Sequence, residues 1–243
     1  MSDCYHNIKI NLDTPGKLDS CVDVTIILTM EDSDRHEQIM NEVTKASLTS
    51  NIIVQVNKGY KKCNKNLEKQ STEYDLGHAL KNAFKYALNN GLKRILVLED
   101  DCEFDHETIS YPETCQSICN FLAHRDPEVY DMGRDGALFF DEFPYTFKHF
   151  KITKIYGTQS IIYNDIHMRK RISRPDKEAH VDAELKHHSN KFSYCMPLTA
   201  QKIEETENSK TWSKIFGVNT IKITKPFMDL IRYNSNPVKV KQK

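Results

Sequence analysis

Apolar and polar positions along this chain follow two periods, one of strands and one of helices. Val22 to Met30, VDVTIILTM, is a β-branched apolar run and predicts a buried strand. The polar turn EDSDRHEQ follows and leads into a helix through Leu48, with Ser33 or Asp34 placed to cap it. Asn51 to Asn57, NIIVQVN, predicts a second strand, and the lysine-rich stretch from Lys58 to Asp75 predicts an exposed connection. Leu76, Ala79, Leu80, Ala83, Phe84, Ala87 and Leu88 recur at helical spacing. Asp75 stands where it can cap that helix, and Asn89-Asn90-Gly91 ends it. Arg94 to Leu98 then predicts a strand covered on both faces, as parallel strands are.

Strand, helix, strand, helix, strand implies an α/β domain with a mostly parallel central sheet flanked by helices. Farther on, Thr114 to Arg125 and residues 178 to 190 predict helices, while 136 to 141 and 151 to 164 predict strands. No linker or internal repeat divides the chain. Residues 1–233 therefore read as one domain and 234–243, NSNPVKVKQK from Asn234, as a flexible basic tail.

The strand predicted at Arg94 to Leu98 runs into Glu99-Asp100-Asp101, with Glu103 and Asp105 close behind. In a parallel α/β sheet, ligands bind beyond the carboxyl ends of the strands. If extended backbone continues, Glu99 and Asp101 face one way and Asp100 turns aside. Two adjacent carboxylates repel unless a cation offsets them. Mg²⁺ or Mn²⁺ does so with oxygen ligands and keeps positions for water and phosphate. The plainer alternative is that the acids cap the next helix or sit in water; the fully apolar strand behind them favours the metal.

Composition narrows the partners. In 243 residues, Lys plus Arg and Asp plus Glu balance at 34 each, which argues against nucleic acid as the main partner. No apolar run approaches the roughly 20 residues of a helical membrane span. The polar start and the absence of a C-x-x-C pair among seven cysteines predict reduced thiols and a cytoplasmic protein.

The segments LVLEDD, after a helix beginning LGHALKNAFKYAL, resemble the family 25 glycosyltransferases, which include lipopolysaccharide and collagen galactosyltransferases. VTIILTM followed by Asp32 and Arg35, VYDMG at 129–133, YGTQSIIYN at 156–164 and HVDAEL…FSYCMPLTAQ at 180–201 fit more loosely, so the likeness spans most of 22–201. It implies a GT-A-like fold, a UDP-sugar donor and inverting transfer to a hydroxyl of a glycan or protein acceptor. Glu99 and Asp101 then fall at the metal-binding acids, and Thr29, Arg35, Gly77, His78 and Asp100 on the donor side. Asp182, or Glu184 beside it, falls where the general base is expected. Asp182 is equally placed to cap a helix, His78 to sit half-buried at a helix start, and Arg35 on a solvated face.

Departures from the family pattern are plain. His78, Lys81 and Asn82 replace its Cys and Ser-His, and the only late histidines available as a third metal ligand are His180, His187 and His188. The basic run from His167 to Pro175 suits either anion steering or an exposed helix end, and Tyr145, Phe147 and Phe150 either a sugar-stacking wall or core packing. Gln201 matches a family position without a clear role. Two other classes compete: a Mg²⁺-dependent phospho- or nucleotidyltransferase, weakened by the absence of a G-x-x-x-x-G-K loop, and a non-catalytic glycan- or partner-binding relative.

Overall fold

The computed structural model describes residues 4–133, 142–144, 146, 148–152, 158–174 and 190–202. Its strands are β1 (Tyr5–Asn11), β2 (Val24–Met30), β3 (Asn51–Asn57), β4 (Arg94–Glu99), β5 (Cys102–Phe104), β6 (Val129–Asp131), β7 (Glu142–Pro144), β8 (His149–Ile152), β9 (Ser160–Asn164), β10 (Lys191–Tyr194) and β11 (Thr199–Gln201). Its helices are α1 (His36–Ala46), α2 (Thr72–Asn89), α3 (His106–Ser110), α4 (Pro112–Arg125) and α5 (Asp165–Ser173).

Nine strands form one sheet in the order β1-β3-β2-β4-β9-β6-β10-β8-β7, and β5 pairs with β11 in a separate ribbon. The sheet is mixed. β3, β2 and β4 run parallel, as do β6 and β10, but β1, β7, β8 and β9 pair antiparallel to their neighbours. The mostly parallel arrangement expected from the sequence thus describes its centre, where helical crossovers join successive strands.

Alternation along the central strands builds two cores. Ile52, Val54 and Val56 of β3, Ile27 of β2 and Leu96 and Leu98 of β4 pack with Ile39 and Val43 of α1 and Ile118 and Leu122 of α4. The intervening Ile53, Val24, Ile26, Leu28, Ile95 and Val97 pack with Leu80, Ala83, Phe84 and Ala87 of α2 and Met168 of α5. Each of these Val, Leu, Ile, Phe and Met side chains contributes roughly 1.5–3 kcal/mol on full burial, the two alanines less. Both faces are covered, which explains why the strand runs read as continuously apolar.

Two helix starts differ from expectation. α1 begins after Arg35, which makes no side-chain capping bond, and Ser33 instead turns toward β4. α2 begins after Ser71, a turn earlier than its apolar stripe suggests, so Asp75 lies inside it and is buried. The cysteines also differ: Cys4–Cys63 and Cys21–Cys119 are disulfides, at separations of 59 and 98 residues. The reduced state expected throughout does not hold at these four, and such bonds persist in oxidising surroundings. Among the described residues, no helix is long and apolar enough to cross a membrane. The strand expected at 136–141, the helix at 178–190 proper, Tyr145, Phe147 and the tail lie outside the described residues, apart from Asn190 at that helix's end.

Candidate active site at the acidic turn after β4

Because β2, β3, β4 and β6 share one direction, their last residues, Met30, Asn57, Glu99 and Asp131, meet along one edge of the sheet. Strand geometry stops at Glu99. Asp100 and Asp101 lie in the turn before β5, so the alternation that would set Asp100 aside no longer applies. Instead both aspartates approach one cation: Arg35 Nη1 is 3.5 Å from Asp100 Oδ1 and 3.6 Å from Asp101 Oδ2.

Asp100 is held from below. Thr29 Oγ1 at the end of β2 and Ser33 Oγ in the following turn both donate to its Oδ2, at 2.8 and 2.7 Å. Asp101 Oδ2 accepts from Gln201 Nε2 at 2.8 Å, and its carbonyl accepts from Lys202 N at 2.7 Å. The pairing of β5 with β11 sets that reach, since Gln201 lies opposite Cys102. Burial pushes the Asp101 carboxyl above the ordinary carboxylate range; the Gln201 hydrogen bond opposes this, the Asp100 charge adds to it, and Arg35 counters it. Glu99, half-buried, accepts from Thr158 Oγ1 at 2.5 Å, while its backbone N–H donates to Gln159 O across to β9.

Behind this turn lies a second polar cluster. Lys65, whose side chain is 1% exposed, pairs with Asp75 and also donates to Asn57 Oδ1. Asp75 Oδ2 accepts from the Tyr60 backbone N–H at 3.1 Å and from Asn57 Nδ2 at 3.3 Å. Gly59, at φ +77°, turns the chain here and donates to Asn57 Oδ1; any Cβ would lie 2.6 Å from Met30 Cε. His78 Nδ1 shares a 2.7 Å hydrogen bond with the Tyr5 hydroxyl of β1, and Gly77 is buried in α2.

Of the residues singled out from the sequence, Thr29, Arg35, Asp100 and Asp101 are gathered into one network. Glu99 sits on its β9 side, and Gly77 and His78 belong to the Lys65–Asp75 flank. Asp182 and Glu184, with His180, His187 and His188, lie outside the described residues. Sequence reasoning missed Thr158, the Asp100 contact of Ser33 and the Lys65–Asp75–Asn57 cluster. The pattern carried one signal for the last: an aspartate four and eight residues before Ala79 and Ala83, on their helical face, is buried and needs a partner.

The donor set suits a hard divalent cation in kind, being carboxylate oxygen. Asp101 Oδ1 is buried and has no hydrogen-bond partner among the described residues, which leaves one oxygen open as a ligand. Among the described residues, no three His, Cys, Asp or Glu side chains are gathered as a metal site. Glu99 and Asp101, the acids expected to hold such an ion, engage Thr158 and Gln201 respectively.

No protein-family model and no curated protein sequence matches this chain. Among solved structures it is similar to A197 from STIV, at 9% identity over 70% of this chain and 80% of that one, with a TM-score of 0.42. It is also similar to a glycosyltransferase involved in the glycosylation of the major capsid of PBCV-1, at 8% identity over 75% and 94%, with a TM-score of 0.44. Likeness at this level says nothing of chemistry, which rests on the side chains at the sheet edge.

Proposed function

We propose that this protein is a glycosyltransferase that moves a sugar from a nucleotide-sugar, a UDP-sugar in the first instance, to a hydroxyl of a glycan or protein. The observation that carries this reading is the paired, buried carboxylates of Asp100 and Asp101 at the carboxyl edge of a covered parallel strand, faced by Arg35. That edge is where α/β sheets bind nucleotides. The LVLEDD segment supplies the resemblance to family 25.

In this reading Glu99 and Asp101 hold Mn²⁺ or Mg²⁺, which when bound stabilises the charge on the departing diphosphate. Asp100, fixed by Thr29 and Ser33, orients the donor's ribose or sugar. Arg35 presents a forked cation toward the phosphates. Asp182, with Glu184 as the alternative, accepts the proton of the attacking hydroxyl, and the transfer inverts the anomeric centre.

The test is thermal unfolding with Mn²⁺ plus UDP, against Mn²⁺ plus ADP, GDP or no nucleotide. A ligand bound only to the folded state at about 100 times its Kd stabilises by about 2.7 kcal/mol. A rise specific to UDP, with UDP-sugar turnover lost in the Glu99→Ala/Asp101→Ala variant, is the expected result. No shift with any nucleoside diphosphate would sink the proposal. One observation favours a non-catalytic, glycan-binding relative instead: Arg35 already counter-charges both aspartates. In that case the double alanine variant keeps full glycan binding and no UDP-sugar is turned over.

A further inference from the structure

Arg35 stands at the cap position of α1 with no capping bond of its side chain, and its guanidinium reaches the two aspartates without locking onto either. Charge-assisted N–H···O bonds run at about 2.7–2.9 Å. The two separations here are 3.5 and 3.6 Å, and among the described residues Nη1 makes no hydrogen bond. The guanidinium is thus held by charge and not by directed bonds. The Arg35 side chain as a whole is 24% exposed against 12% for Asp100 and 8% for Asp101, although Nη1 itself is buried.

The carboxylates are anchored and Arg35 is not. Asp100 has two hydroxyl donors and Asp101 an amide donor, so neither can follow the arginine if it leaves. Asp101 Oδ1 meets no donor among the described residues and marks where a new cation would gain a ligand. An arginine cannot shed its charge, so a divalent ion entering beside it is repelled until the guanidinium moves. A diphosphate gives that guanidinium a better partner, one whose oxygens match its fork.

We infer that Arg35 is an exchangeable counter-ion: it neutralises Asp100 and Asp101 in the empty site and swings onto the nucleotide diphosphate when the divalent cation takes its place. This rests on the nucleotide-sugar reading. It makes cation and nucleotide bind cooperatively, because metal alone must displace Arg35 with nothing to receive it. Coupling between two ligands of this kind typically amounts to a factor of about 5–150.

The experiment titrates Mn²⁺ by electron paramagnetic resonance, with and without UDP, on the wild-type chain, Arg35→Gln and Arg35→Lys. Wild type binds Mn²⁺ weakly alone and about 10-fold more tightly or better with UDP. Arg35→Gln binds Mn²⁺ alone about 10-fold more tightly than wild type and loses most of the UDP enhancement. Arg35→Lys, which keeps the charge, stays weak for Mn²⁺ alone. Equal Mn²⁺ affinity in wild type and Arg35→Gln overturns the exchange and leaves the glycosyltransferase reading standing, as does tight binding by Arg35→Lys. No Mn²⁺ binding by any of the three, with or without UDP, overturns the exchange and metal dependence together.

Discussion

Replacing Asp75 with asparagine removes the anion that holds Lys65 in the interior. The pair is closed to water, with side-chain exposures of 1% for Lys65 and 5% for Asp75. Burial pulls the Lys65 ammonium below the ordinary lysine range, while its hydrogen bond and charge contact with Asp75 push it back up. Breaking a buried pair by removing one partner costs about 3–5 kcal/mol, because the survivor is left uncompensated. Asn57 Oδ1 still accepts from Lys65, and the Tyr5 ring lies 4.6 Å from the ammonium, so the lower half of that range applies. For a chain of this size 1 kcal/mol shifts the midpoint by about 2–4 °C, so Asp75→Asn should melt about 6–16 °C below wild type. The assay is circular dichroism of thermal unfolding with the disulfides kept oxidised.

Two internal controls sharpen that measurement. Lys65→Met/Asp75→Leu strands no charge and should recover most of the loss. In Asp75→Asn the folded lysine titrates below its unfolded value, so the unfolded chain binds more protons and stability rises with pH through that window. Asp75→Asn within about 1 kcal/mol of wild type, or a double variant no better than the single, would refute the assignment of this pair as a structural ion pair.

His149 is buried against Phe121, bonded to Tyr130 and Ser117, and flanked by Lys148 and Tyr194; burial above all holds its pKa down, to about 4. Since the unfolded histidine protonates first, stability falls as pH drops from about 6.5 toward 4, by at most about 1.4 kcal/mol per unit; parallel pH profiles for wild type and His149→Gln in denaturant melts would contradict this. Reducing Cys21–Cys119, which closes a 98-residue separation, should cost about 2–5 kcal/mol, read as a lower urea midpoint in Cys21→Ser/Cys119→Ser. A Cβ on Gly16 would lie 2.3 Å from Thr49 Cα and 2.6 Å from Leu48 O, so Gly16→Ala should lose about 1–3 kcal/mol or more. At Gly133 the nearest atom is the Gln159 side-chain amide, which can swing away, so Gly133→Ala should cost clearly less in the same melts.

The central fold was legible because local pattern and burial agree there. β3 matches its predicted bounds, and β2, β4, α2 and α4 match within a few residues, since the strands are short β-branched or aliphatic apolar runs and α2 carries a 3.6-residue apolar stripe. β1 was missed: five of its seven residues are exposed, and it reads as polar coil until β3 offers a partner. β5, β6 and β11 are three residues each, too short to show any period. At the candidate site the acids were legible and their arrangement was not. Strand alternation was extended past Glu99, where the chain has already turned. Ser33 looked like a cap because its hydroxyl is placed for one, and the competing carboxylate comes from a residue 67 positions away. Disulfide partners separated by 59 and 98 residues leave no trace in local spacing.

Gln201 and Lys202 have a consequence for biosynthesis. They complete the shell around Asp101 from the far end of the described chain, a hundred residues after the acid itself. A nascent chain that has released Thr29 through Thr158 from the ribosome already owns every other member of the network, yet Asp101 still lacks its amide donor. Premature termination before β11 therefore yields a species in which Arg35, Thr29 and Ser33 can be in place while Asp101 is without the Gln201 amide and the Lys202 backbone contact.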